Sequence, residues 1–236
     1  MSEGATEHGK PSGLKLRVIS GVLLAPAVLA IILIGGPLFL AFIFVAAFIA
    51  LFEFMRLADR GSHRYFHFAI GMIYIVLCFS SYALVRLGYD QGAWLAVCVM
   101  LAVWASDIGA YFFGKTIGGP KMAPKLSPNK TWAGLGGAMF FCGLALVILQ
   151  FAGFALESYI NTDLGLTAGN APCVFLTGLV LGLVGQAGDL CKSFYKRRVG
   201  VKDSGNLIPG HGGLLDRIDA LMLVSPALLI ILLLWR

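Results

Sequence analysis

The 236 residues are 58% hydrophobic and only 13% charged, with a mean hydropathy of +0.86; soluble domains are roughly 45–50% apolar and about 25% charged. That balance excludes a soluble globular domain and points to an integral membrane protein. The formal net charge of +6 is spread over segments flanking apolar runs, which argues for loops at a membrane surface and against a nucleic-acid-binding module.

Residues 1–15 are polar and read as a mobile tail, with Lys10 and Lys15 near the membrane. The apolar run Leu16–Ile34 is longer than a signal-peptide core and shows no small-residue cleavage site, so it reads as a first membrane helix. A hydrocarbon core about 30 Å thick needs about 20 apolar helical residues. Six further windows meet that need: Pro37–Met55, Phe66–Leu87, Gly92–Phe113, Trp132–Ala155, Ala171–Gly188 and Ile218–Trp235. Breakers such as Gly118-Gly119-Pro120 and Asn170-Ala171-Pro172 separate them. The expected fold is all-α and polytopic, with about seven transmembrane helices. Residues 16–91 supply an N-terminal group of three, and residues 92–236 a second membrane domain that carries the chemistry, with polar loops at 114–131 and 189–217.

Assigning the loops to alternate sides puts sixteen of the eighteen Lys and Arg residues on one side, leaving Arg86 and Arg236 opposite. Cytoplasmic loops carry such an excess. The N terminus and both polar loops are therefore expected to face the cytoplasm from the cytoplasmic (inner) membrane. The five cysteines show no CxxC or Cys/His spacing, and four lie in apolar runs; they read as small buried hydrophobes.

Charge is concentrated in Gly188–Asp219, which holds Asp189, Asp203, Asp216, Asp219, His211 and six of the eighteen basic residues. Acids at membrane depth are expensive and usually functional. Asp216 and Asp219, three apart, share a helical face. If helices 6 and 7 are neighbours, Asp189 joins them at one depth. Such oxygen ligands suit Mg²⁺, which takes one or two carboxylates and leaves its other positions to water and phosphate. The plainer reading pairs these acids with Lys192, Lys196 and Arg217. Lys196, Arg197, Arg198 and Lys202, with Lys121, Lys125 and Lys130 in the preceding loop, can neutralise phosphates, although either cluster alone is more often a loop facing lipid headgroups. Cations and a carboxylate metal site together are the parts that phosphoryl or nucleotidyl transfer requires.

The glycines of Pro209-Gly210-His211-Gly212-Gly213 permit positive φ and close backbone approach, so their N–H groups can face phosphate; the plainer reading is a tight turn, and His211 alone is weak evidence for acid–base chemistry. Asp107 is expected to face the same polar cavity. Glu53 is expected to pair with Arg56 at the surface.

These residues carry a family likeness. Ser193-Phe-Tyr-Lys196-Arg197, Lys202-Asp203-Ser-Gly205, Leu207-Ile-Pro209-Gly-His211-Gly212-Gly213 and Asp216-Arg217-Ile-Asp219 together resemble the signature of the phosphatidate cytidylyltransferases, or CDP-diacylglycerol synthases. Ser106-Asp107 to Gly114-Lys115, continuing to Leu126-Ser127-Pro128-Asn129-Lys130-Thr131, is similar to that family's upstream motif. The resemblance covers the C-terminal 130 residues or so. It implies transfer of CMP from CTP to phosphatidic acid with Mg²⁺, and allows a second, monovalent cation. Asp189 and Asp216 are the first-choice metal ligands and Asp219 the third, with Ser193 and Lys196 beside them as catalytic residues. Lys125, Asn129, Lys130, Arg197 and Lys202 are expected to hold phosphates, and Asp107, Asp203, His211, Gly212, Gly213 and Arg217 to complete the substrate site. Two features depart from the family: Ala133 stands where an acid is common, and the N-terminal half is short.

The implied partners are CTP, phosphatidic acid and the bilayer; a homodimer is compatible with the sequence, which does not decide oligomeric state. A CTP-using enzyme acting on another lipid, such as a CDP-archaeol synthase or polyprenol kinase, would need the same machinery. An ion-coupled transporter would place its acids near the bilayer midplane, whereas these are expected at helix ends on one side. A non-catalytic lipid-binding scaffold would fit only an incomplete metal cluster.

Overall fold

The computed structural model describes residues 13–58, 64–160, 170–201, 204–205, 207 and 212–234. Among them are seven α-helices and one β-hairpin: α1 (Gly13–Ile34), α2 (Gly36–Ala58), α3 (Arg64–Leu87), α4 (Gly92–Thr116), β1 (Lys121–Ala123), β2 (Ser127–Thr131), α5 (Trp132–Ile160), α6 (Ala171–Arg198) and α7 (Leu215–Leu234). The six helices α2 to α7 are long and apolar enough to cross a membrane, while the apolar part of α1 runs over Ser20–Ile34. The chain is a polytopic helical membrane protein.

Helices α4, α5, α6 and α7 pack in sequence order, α7 closes against α3, and α3 also meets α2 and α4. Val85, Val99, Val103, Cys142, Leu181 and Val224 form a buried core drawn from five helices, α3 to α7. A second core, with Ile32, Phe39, Tyr82 and Met100, joins α1 and α2 to α3 and α4. Phe44, Phe48, Ile73, Ile108 and Ile148 point outward, as side chains that meet lipid should. Arg86, from the sparsely charged end, donates to the carbonyls of Ile32 at 2.7 Å and Leu33 at 3.3 Å, so it satisfies the open C-terminal carbonyls of α1.

Glycine sets how closely α4, α5 and α6 approach. A Cβ on Gly137 would lie 2.5 Å from the Gly109 carbonyl oxygen, and one on Gly178 only 2.4 Å from Gly143 Cα. Without a hydrophobic drive between helices in lipid, such small-residue contacts are what allow tight packing.

Several element boundaries differ from the sequence expectation, among them the start of α1 at Gly13, inside the expected tail, and the end of α5 at Ile160 rather than Ala155. Helix α6 runs ten residues past Gly188 to Arg198, because no breaker occurs before Gly200 and because Lys196, Arg197 and Arg198 in its last turn complement the helix dipole. At about 1.5 Å per residue its 28 residues reach roughly 42 Å, longer than the hydrocarbon core of about 30 Å, so its charged end projects beyond the apolar layer. Helix α7 starts at Leu215 rather than Ile218. The 114–131 segment contains the antiparallel hairpin, paired Lys121 with Thr131 and Ala123 with Ser127. Its strands are three and five residues long and include Pro128, which belongs only on sheet edges; they therefore read as loop. Thr131 Oγ1 accepts from Gly134 N at 3.0 Å, capping α5 and anchoring the hairpin to it.

The glycine contacts yield one stability test. Gly178→Ala should lower the thermal midpoint of the detergent-purified protein, the overpacking costing about 1–3 kcal/mol. Gly136→Ala should leave the midpoint in place, because a Cβ there meets nothing within 4 Å. Equal behaviour of the two variants would show that the backbone approach is not limiting.

Candidate active site

The extension of α6 places Asp189, Lys192, Ser193 and Lys196 on one helical face, at spacings of three, four and seven. Helix α7 presents Asp216 in its first turn and Asp219 one turn later. The two helices approach at Gly188, where a Cβ would lie 2.8 Å from the Asp219 carbonyl oxygen. Asp189 and Asp219 are consequently close enough to feel each other's charge.

Each acid has further partners. Lys192 Nζ lies 2.6 Å from Asp219 Oδ2 and 3.1 Å from Asp216 Oδ1, and donates to the Leu215 carbonyl at 2.8 Å. Lys196 Nζ donates to Asp216 Oδ1 at 2.8 Å. The other Asp216 oxygen, Oδ2, accepts from Ser204 N at 2.8 Å, Ser204 Oγ at 2.9 Å and Gly213 N at 3.2 Å. Lys130, from β2, forms an ion pair with Asp189 and donates to Gln186 Oε1 at 2.8 Å. The plainer pairing of acids with Lys192 and Lys196 is thus present, and Lys192 bridges Asp216 and Asp219.

Glu53 corrects the sequence expectation. It is buried and points into the bundle, where Oε1 accepts from Leu214 N at 2.8 Å and Oε2 from Leu215 N at 2.9 Å, with Ser204 Oγ at 3.2 Å. Arg56 instead lies over the Phe52 ring, 4.4 Å from its centroid. A carboxylate from α2 therefore caps the N terminus of α7, satisfying N–H groups that a helix start leaves open. The available signal was an acid inside the apolar run of α2, where an unpaired charge is costly; its partners, about 160 residues away in sequence, carried no local signal.

The two site glycines have separate jobs. Gly212 adopts φ 83°, a left-handed conformation that glycine reaches without strain. Gly213 leaves room: a Cβ there would sit 2.4 Å from Ser204 Oγ and 2.6 Å from Glu53 Oε2. Its N–H is directed at Asp216, so this donor serves the internal network.

Opposite α6 stands the hairpin. Leu126, Ser127, Pro128 and Asn129 face Ser193, Lys196 and Arg197 across a cavity of about 330 Å³, and Arg197 Nε reaches the Leu126 carbonyl at 3.5 Å. Lys125 is exposed at the hairpin turn. Asp107, on α4, has Asp219, Asp189, Lys130 and Arg217 as its charged neighbours. The hairpin, the charged end of α6 and the start of α7 are thus brought together around one polar end. Lys202, Asp203 and His211 lie outside the described residues. Lys192, Gln186 and Ser204 are residues of the network that the sequence did not single out for a functional role; Lys192 was expected only as an ion-pair partner.

Among the described residues, no group of three or more His, Cys, Asp or Glu side chains is arranged to hold a metal ion. Lys192 stands between Asp216 and Asp219. The donor type nevertheless suits a hard divalent cation, since carboxylate oxygens are the ligands Mg²⁺ takes.

A family model described as "Cytidylyltransferase family" matches residues 61–235 of the chain. A protein of Rickettsia bellii (strain RML369-C) named phosphatidate cytidylyltransferase is 37% identical over 231 residues, covering 97% of this chain and 95% of its own length. One from Rickettsia felis (strain ATCC VR-1525 / URRWXCal2) with the same name is 34% identical over 217 residues, with 92% and 91% covered. Another so named, from Staphylococcus aureus (strain COL), is 42% identical over 164 residues, with 66% and 58% covered.

The Glu53 network gives a direct test. Glu53→Ala leaves the Leu214 and Leu215 N–H groups without their acceptor, and each unsatisfied buried group costs about 1–3 kcal/mol. The thermal midpoint should fall clearly, while Arg56→Ala should change it little. A Glu53→Ala protein as stable as wild type would show that α7 is capped some other way.

Proposed function

The chain belongs to the cytidylyltransferase family and is an enzyme of the phosphatidate cytidylyltransferase type, and on that premise we propose that it transfers CMP from CTP to phosphatidic acid, releasing pyrophosphate and forming CDP-diacylglycerol. The observation that carries this reading is the apposition of Asp189, Ser193 and Lys196 on α6 with Leu126 to Lys130 on the hairpin, where Lys192 and Lys196 also pair α6 with Asp216 and Asp219 of α7. It places cations and hydroxyl donors around a cavity of about 330 Å³, within the range of about 300–1,000 Å³ usual for small-molecule sites.

A phosphate oxygen of phosphatidic acid forms a bond to the α-phosphorus of CTP, and the bond from that phosphorus to the oxygen shared with the β-phosphate breaks. The attacking oxygen is already anionic, so no serine, cysteine or histidine nucleophile is required. The task of the chain is to orient two polyanions and offset their charge. Lys196, Arg197 and Ser193 hold triphosphate oxygens from the α6 wall, and Asn129 and Lys125 approach from the hairpin. Lys130 fixes Asp189 in place. The fixed network of Glu53, Ser204 and Gly213 orients Asp216. Lys202, Asp203, His211, Gly212, Asp107 and Arg217 belong to the same proposed substrate site. Mg²⁺, held by Asp189, Asp216 and Asp219, would neutralise charge developing on the phosphates. The strong excess of Lys and Arg at this end supports a site facing the cytoplasm.

Purified protein given labelled CTP, phosphatidic acid and Mg²⁺ should move label into the lipid fraction, and chelation of the metal should stop it. Asp189→Asn should reduce incorporation about a hundredfold or more, the scale on which removing one charge-stabilising group acts, without loss of folding; Asp216→Asn should also abolish it. Full activity in Asp189→Asn would overturn the metal assignment. Label that enters a different lipid but not phosphatidic acid would overturn the acceptor and retain the chemistry.

A further inference from the structure

Lys192 has an unusual position for a residue at a proposed metal site. Its ammonium nitrogen contacts Asp219 Oδ2 at 2.6 Å, Asp216 Oδ1 at 3.1 Å and the Leu215 carbonyl at 2.8 Å. A lysine ammonium has three hydrogens, so all three have acceptors where it stands. Its side chain is only 14% exposed, and little water competes for those bonds. A divalent ion taken up by Asp216 and Asp219 would need the same carboxylate oxygens that this ammonium engages.

Charge counting sharpens the point. Asp189, Asp216 and Asp219 bring three negative charges, and Lys130, Lys192 and Lys196, each paired to one or more of them, bring three positive ones. With all three acids ionised, these six groups are together neutral. A divalent ion added to them leaves an excess of two positive charges in a largely enclosed site, and a triphosphate removes that excess. Lys192 is also placed to move: it shares its helical face with Ser193 and Lys196, which line the cavity, and its four-carbon stem is flexible.

We propose that Lys192 is an exchangeable internal counter-ion, competing with the divalent metal for Asp216 and Asp219 and leaving them for phosphate oxygens when the nucleotide arrives. Metal and nucleotide then bind cooperatively, each raising the affinity of the other by the same factor. The proposal rests on the nucleotidyl-transfer reading above. It assigns Lys192 a positioning role that the family match by itself does not supply.

The test is calorimetric titration of Mn²⁺, used as the probe, into the full-length protein in detergent, with and without CTP and corrected for Mn²⁺–CTP formation in solution. No lipid acceptor is added, so CTP is not consumed. Wild-type affinity for Mn²⁺ should rise about tenfold with CTP, within the usual range of coupling between sites. Lys192→Met should bind Mn²⁺ about tenfold more tightly than wild type without nucleotide and lose most of the coupling; Lys192→Arg, which keeps the charge, should bind it no more tightly than wild type. Unchanged or weaker Mn²⁺ binding by a Lys192→Met protein whose thermal midpoint still rises with Mn²⁺ would overturn the proposal. Equal wild-type affinity with and without CTP would overturn it even if Lys192→Met failed to fold. Absence of Mn²⁺ binding by wild type under both conditions would instead remove the metal-dependent reading beneath it.

Discussion

Ionised carboxylates cannot stand in apolar helices without partners, and four of them, Glu53, Asp189, Asp216 and Asp219, crowd one end of this bundle. The cost of such charges at membrane depth is several kcal/mol each unless they are paired or bonded. Each acid meets that demand differently. Glu53 takes the backbone N–H groups at the start of α7, and Asp216 takes the Ser204 and Gly213 N–H groups on one oxygen and lysines on the other. Asp189 takes Lys130 from the hairpin. These bonds tie α2, α6, α7 and β2 into one unit, and one of their members, Lys196, also lines the cavity between α6 and the hairpin.

The membrane-embedded part supports this arrangement through close approach. Gly109 and Gly137, Gly143 and Gly178, and Gly188 against the α7 backbone bring α4 through α7 near enough for short polar side chains to meet. Aspartate has a short reach, and a wider helix spacing would leave Asp189 and Asp219 apart. Packing in the apolar layer thereby sets the chemistry above it. Helix α6 links the two, since its N-terminal two thirds pack in the bundle and its charged last turns extend beyond the apolar layer.

In the proposed reaction both substrates arrive as polyanions, which suits a cavity bordered by cations. Arg197 and the exposed Lys125 add positive charge beside the cavity. The lysines paired to aspartates hold an organised pattern that phosphate oxygens can take over. Acids and lysines that neutralise one another hold the site together, and in the proposed reaction the same lysines would meet substrate.

Much of this protein was legible in the sequence. Apolar run lengths determined the helices, because a bilayer demands about 20 apolar residues per crossing whatever the neighbours are. Asp189, Asp216, Asp219, Lys130 and Lys196 stood out because charge is rare in such a chain and costly at membrane depth. Tertiary structure decided the rest. That Glu53 caps α7 instead of pairing with Arg56, that Gly213 makes room for a carboxylate, and that Lys192 sits between two aspartates all depend on contacts between helices distant in sequence, which no local pattern encodes. The end of α6 was also hidden, because charged residues look like a loop until the partners that make them affordable on a helix are in place.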